Sequence, residues 1–170
     1  MPSQVVFDVN QAGYQSAWFP AFGLIFFLIG AVLAIINRTR AKRGDPAISN
    51  NSGTPAPFLP WLSMGFSLLW SLATFSSTYG DYRHLRDALN QGGCQKVDGQ
   101  IEHFHPANDE GRGRQIEESF DVQGAHFSYS AAGVSAGFNQ IQAHGGPLKE
   151  GLRVRIYAFQ GQIARLEILP

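Results

Sequence analysis

Apolar and polar residues fall into two regimes along the chain. From Ala17 to Ile36 the run AWFPAFGLIFFLIGAVLAII contains no charge, and neither does PAPFLPWLSMGFSLLWSLATFSSTY from Pro55 to Tyr79. A helix crossing ~30 Å of hydrocarbon needs roughly 20 largely apolar residues. Both runs therefore predict membrane-spanning helices, at 17–36 and 57–79, although seven Ser/Thr between Ser63 and Thr78 dilute the second. A short amphipathic helical linker follows at 80–93, where Tyr82, Leu85 and Leu89 recur at helical spacing and Gly92-Gly93 ends the pattern.

From Cys94 onward the period drops to two, the period of strands. QIEESFDV and AHFSYS are separated by Gln123-Gly124, a tight-hairpin signal. That register sets Val122 opposite Ala125, Asp121 opposite His126 and Phe120 opposite Phe127. A second hairpin lies in GLRVRIYAFQGQIARLEIL. A two-residue turn at Gln160-Gly161 would oppose Ile156 to Arg165. A three-residue loop, Gln160 to Gln162, instead opposes Ile156 to Leu166, Val154 to Ile168 and Arg155 to Glu167. Because a one-residue slip turns every side chain over, the three-residue loop is expected. Leu152, Val154, Ile156, Leu166 and Ile168 then face the core, and Arg153, Arg155, Arg165 and Glu167 face water. Upstream, CQKVDGQIEHFH reads as one long strand. Strict alternation puts Val97 and Ile101 on one face and Phe104 on the other, which a bulge near Gly99 or His103 would reconcile.

The pattern predicts a membrane α plus all-β fold: a two-helix transmembrane hairpin followed by a small five-stranded β-barrel of OB or SH3-like type at 94–170. A short tail at 1–16 and a basic connecting loop at 37–56 complete the plan. The link AAGVSAGFNQIQAHGGPLKE offers no obvious counterpart to the usual OB helix.

Charge orients this plan. The chain is neutral overall, with 13 basic and 13 acidic residues, but the loop at 37–56 carries Arg38, Arg40, Lys42 and Arg43 against one Asp45. The positive-inside rule puts that loop in the cytoplasm and both termini, with the C-terminal domain, outside. Trp18, Phe19, Phe58, Trp61, Tyr79 and Tyr82 fit interfacial aromatic belts. Arg83 and Arg86, close behind the second run, are the counter-signal. The basic cluster is a topology signal that could also attract anionic headgroups. A cleaved signal peptide does not fit the first run: no Lys or Arg precedes it, and NRTRAKR follows in place of a small-x-small site. A core helix apolar all round does not fit a soluble domain of about 90 residues.

Ser63, Ser67, Ser71, Thr74 and Thr78 fall at steps of four, four, three and four, one stripe of a helix. Small and hydroxylated residues let membrane helices approach closely. With Gly23, Gly30 and Ala34 of the first run they form the expected packing seam of the hairpin, or else a homo-oligomer seam or a polar pathway. No acidic, basic or histidine residue lies within either span, which argues against ion or proton transport.

Candidate chemistry adds little to this picture. His103 and His105, at i and i+2 on a strand, point to one side and form a candidate metal pair. Zinc needs three or four ligands. The nearest further donors are Asp109, Glu110 and His126, and His126 already has Asp121 opposite. A solvated strand end is the expectation, and Pro106 suits it. Cys94 cannot form an internal disulfide, and a structural thiol is expected. No G-x-S-x-G elbow occurs. GRGR at 111–114 lacks the P-loop lysine and following helix, so it reads as a loop and not as a nucleic-acid site. No cofactor motif is present. The link is the best binding candidate: Tyr129, Phe138, Asn139, Gln142 and His144 combine aromatic and amide groups suited to a peptide, glycan or lipid headgroup. The alternative is a loop that plugs the barrel end with Phe138.

The segments ESFDVQGAHFSYS, GFNQ, HGGPL and GLRVRI, within Asp98 to Leu169, resemble the C-terminal part of small bacterial membrane proteins of unassigned function. The plan of membrane helices before a small barrel is also similar to NfeD-like proteins, a likeness of architecture that carries no residues across. These resemblances imply a bacterial inner-membrane, multi-pass protein. The expected role is non-enzymatic: an extracytoplasmic OB-like binding or assembly module, its partners the bilayer and a membrane or envelope protein, or a second copy. The alternative is a metal-binding or enzymatic envelope protein using the histidine-bearing face.

Overall fold

The structure is a computed structural model that describes residues 3–44, 58–107 and 117–170. The 45–56 part of the connecting loop, Asp109, Glu110 and GRGR 111–114 lie outside the described residues. In chain order the elements are β1 (Gln4–Asp8), α1 (Val9–Ala12), α2 (Trp18–Arg43), α3 (Leu59–Asn90), β2 (Gln95–His105), β3 (Glu117–Val122), β4 (Ala125–Ser130), β5 (Arg153–Phe159) and β6 (Gln162–Ile168). The chain divides into two compact units: Ala17–Ser77, and Met1–Ser16 together with Thr78–Pro170.

In the helical unit, Gln15–Arg43 is long and apolar enough to cross a membrane, alone among the described residues. The second expected span does not reach that level, because its hydroxyl residues lower its apolarity. Helix α2 runs on through the expected start of the loop and closes at Gly44, whose left-handed φ of 78° lets its N–H reach the carbonyls of Arg40 and Ala41. Arg40, Lys42 and Arg43 fill the last turn, where cations complement the helix dipole.

Small residues set the approach of the two helices. A methyl group on Gly30 would come 2.8 Å from Met64 Cγ, and one on Gly23 would collide with Ser71 and Trp70. Ser67 and Ser71 are buried, while Ser63, Thr74 and Ala34 are half-buried. Ser67 and Thr74 satisfy their hydroxyls by donating to the carbonyls of Ser63 and Trp70, one turn back.

Helix α3 continues unbroken to Asn90, so the expected linker is its last turns. Tyr82 and Leu85 are buried there in the core of the β unit. Tyr82, expected at the interface, is enclosed by protein there, its ring tilted against those of Tyr14 and Tyr79 at centroid distances of 6.0 Å.

The expected five-stranded closed barrel is corrected to a six-stranded open antiparallel sheet in the order β1-β6-β5-β2-β3-β4. The sixth strand comes from the N-terminal segment, which the sequence pattern leaves as a tail. Gln4 opposes Ile168, and Asp8 opposes Arg165. A five-residue strand with its own register shift and no adjoining turn has little periodic signal. Its partner β6 lies beyond both long helices.

The first hairpin has the expected register, with Phe120 opposite Phe127, Asp121 opposite His126 and Val122 opposite Ala125. The second has the expected partners at Val154, Arg155 and Ile156, but by another device. Phe159 opposes Gln162, so the turn is the two-residue Gln160-Gly161, with φ of 50° and 80°. A bulge after Ala158–Ile163 inserts one residue in β6 and restores the register. Consequently Ile163 and Ala164 are both buried. Glu167, expected in water, is buried too, because Arg155 and Arg165 close over it (Nη1···Oε2 3.6 Å and Nε···Oε1 2.8 Å).

Strand β2 bends through both halves of the sheet. Gln95–Gln100 pair with β5, and Ile101–His105 pair with β3. The expected bulge is at His103, whose φ is 52°. It turns Phe104 back toward the face of Ile101 and the core. Glu150 accepts the freed Phe104 N–H at 2.7 Å.

Candidate functional site

The link after β4 fills the open side of the sheet. Phe138 is 2% exposed and lies 5.8 Å from the Phe7 ring of β1 and 5.0 Å from the Tyr129 ring of β4. Its backbone N–H donates to Ile163 O of β6 at 3.0 Å. Tyr129 and Phe138 are therefore core residues that plug the fold. Asn139 is half-buried, while the side chains of Gln142 and His144 are exposed. The five residues proposed from sequence are thus divided between core and surface.

Beneath the link lies a residue that sequence inspection passed over. Glu118 on β3 is fully buried. Tyr129 Oη donates to its Oε2 at 2.5 Å, and the backbone N–H groups of Gln142 and Ala107 donate to its Oε1 at 2.7 and 3.4 Å. Three donors replace the hydration that burial removes. Burial, then the bond to Glu118, pushes the Tyr129 hydroxyl pKa well above that of an ordinary phenol. The signal was present in the alternation: with Phe120 and Val122 inward, Glu118 shares their face.

On the opposite face, His103, Asp121 and His126 form a row across β2, β3 and β4. Asp121 Oδ2 lies 3.0 Å from His103 Nδ1, and Oδ1 lies 2.7 Å from His126 Nδ1. The bonds from His126 and then His103 hold the Asp121 carboxyl below its ordinary pKa. The bulge brings His103 to Asp121 and leaves His105 opposite Ser119. The i, i+2 geometry expected for a metal pair is therefore lost. Among the described residues, no group of three or more His, Cys, Asp or Glu is placed to hold a metal.

A chain of ion pairs crosses the outer face from β1 to β2. Arg165 lies 3.6 Å from Asp8, both arginines flank Glu167, and Arg155 holds Asp98 with two bonds of 2.9 and 3.1 Å. That fork lowers the Asp98 pKa and raises that of Arg155.

Two open clefts flank the β5–β6 turn. One, of about 290 Å³, is lined by Asp81, His84, Leu85, Phe159, Gln160 and Gln162. The other, of about 230 Å³, includes Gln95, His126, Phe127 and Phe159. Neither was foreseen, because α3 and two turns distant in sequence build them. No known protein family, curated protein or solved structure matches the chain.

Proposed function

We propose that the chain is a non-enzymatic, two-span inner-membrane protein that displays a small OB-like binding and assembly module outside the cytoplasm. The observation that carries this reading is the β1–β6 ladder. Strand β1 precedes α2, and β6 follows α3. Strands paired in one sheet lie on one side of a membrane, so the chain between them crosses an even number of times. If α2 crosses, α3 must bring the chain back, despite its hydroxyl residues. Arg38, Arg40, Lys42 and Arg43 support a cytoplasmic position for the connection between the helices. The bacterial setting rests on the resemblance of the C-terminal segments.

The OB-like reading rests on the run β6-β5-β2-β3-β4, a meander and a terminal hairpin joined through a shared long strand, with the link in the remaining gap. The packed interior leaves recognition to the rim and outer faces, which suits docking of a membrane or envelope partner or a second copy.

Reporter fusions test the topology. Phosphatase activity is expected at both termini, and fluorescence of a cytoplasmic reporter is expected within 45–57. Termini on opposite sides would refute the two-span reading; fluorescence at both termini would reverse the orientation. Cross-linking in native membranes tests assembly, and a monomer recovered without partners would count against it.

A further inference from the structure

We propose that the cleft lined by Asp81, His84, Gln160 and Gln162 binds a phospholipid headgroup bearing a primary ammonium. The inference rests on the preceding reading that α3 leaves the bilayer near Tyr79. A helix rises 1.5 Å per residue, so Asp81 to Leu85 lie about 3 to 9 Å beyond that point. Each interfacial layer is roughly 5–8 Å deep, the difference between ~30 Å of hydrocarbon and a 40–45 Å bilayer. The cleft therefore opens at headgroup depth.

Its chemistry selects among headgroups. A primary ammonium has three N–H donors. Asp81 supplies a carboxylate, and Gln160 and Gln162 supply amide carbonyls. Among the described residues, no hydrogen bond or ion pair engages the side chains of Asp81, His84 or Gln160. Gln162 Oε1 accepts one bond, from Ser135 at 3.3 Å. The His84 imidazole and the glutamine N–H groups remain for the adjoining phosphate. Leu85 and Phe159 provide apolar walls. A quaternary ammonium has no N–H and favours cages of Trp, Tyr or Phe, whereas Phe159 is the one such ring in this cleft. An anionic headgroup without a cation would face Asp81 with no compensation.

A cleft of about 290 Å³ holds the liquid volume of about ten waters, enough for a phosphoethanolamine group. Such a lipid would join the first extramembrane turn of α3 to the β5–β6 turn and fix the domain against the surface.

Retention of lipid by the purified full-length protein tests this directly. The protein is equilibrated with equal amounts of dioleoyl phosphatidylethanolamine, phosphatidylcholine and phosphatidylglycerol in micelles, and bound lipid is counted by native mass spectrometry. Preferential retention of phosphatidylethanolamine is expected, reduced about tenfold by Asp81→Asn, as befits loss of one charge-assisted bond. Asp87→Asn, also exposed on α3 but outside the cleft, should leave retention unchanged. Equal retention of the three lipids, or indifference to Asp81→Asn, would overturn the proposal. Equal retention of soluble glycerophosphoethanolamine would also overturn it, by making the ligand a free zwitterion. A nitroxide-quenching measurement on a fluorophore at Tyr79→Cys, in the Cys94→Ser background, separates the two readings. Absence of quenching by bilayer-embedded nitroxide defeats the membrane placement itself, whatever the lipid counts.

Discussion

Gln4 and Ile168 are register partners in one antiparallel ladder, although almost the whole chain separates them. Facing residues in such ladders have Cα atoms about 4.5–5.5 Å apart, within the range that a disulfide bridges. In a Cys94→Ser background, Gln4→Cys with Ile168→Cys should oxidise to an internally cross-linked monomer, seen as a mobility shift on a non-reducing gel. Gln4→Cys with Ser130→Cys on β4, at the other edge of the sheet, should not. Equal cross-linking of the two pairs would remove β1 from its place.

The three-donor site at Glu118 should be costly to disturb. Glu118→Ala leaves the Tyr129 hydroxyl and the Gln142 and Ala107 N–H groups without their acceptor. A loss on the order of 3 kcal/mol is expected in chemical denaturation. Glu118→Gln keeps one acceptor oxygen and should lose less.

Tyr129 gives the same site a pH signature. Its folded pKa is raised above the unfolded value of about 10. The unfolded chain therefore loses this proton first, and the contribution is complete below pH ~10 and declines above it. Tyr129→Phe should flatten that alkaline decline. An unchanged slope would show that the hydroxyl does not govern it.

Asp121 has the opposite sign. Its folded pKa is depressed, first by His126 and then by His103. The associated stability is present above the unfolded carboxyl pKa of about 3.9 and is lost as pH falls through the lower folded value. In a carboxyl-carbon NMR titration, His103→Ala with His126→Ala should move the Asp121 midpoint upward. A midpoint that stays put would deny the imidazoles their role.

Two glycines should respond in opposite directions to alanine. Gly65 has open space around its added methyl, so Gly65→Ala should stabilise by about 0.8–1 kcal/mol through helix propensity. The Gly23 methyl would strike Ser71 and Trp70, and Gly23→Ala should destabilise by about 1–3 kcal/mol despite the same gain. Thermal unfolding in detergent reads both.

Local pattern by itself determined the β3–β4 hairpin, since the two-residue turn and the alternation of Phe120, Val122 and Phe127 point the same way. It also determined the core partners of Val154 and Ile156, because burying apolar side chains constrains the register whatever the turn. Tertiary structure alone decided that β6 bulges, and it chose between alternatives that the pattern left open: a bulge at His103 and not at Gly99, and Phe138 in the core and not at a binding surface. Each depends on a backbone irregularity or a distant surface that no short window contains. The same holds for β1: five residues acquire a strand's identity from the unpaired edge of β6, formed by the far end of the chain. Glu118 stands between the two cases. Its inward direction is written in the period of two, but the donors that make burial tolerable come from β4, the end of β2 and the link, and only the folded chain brings them together.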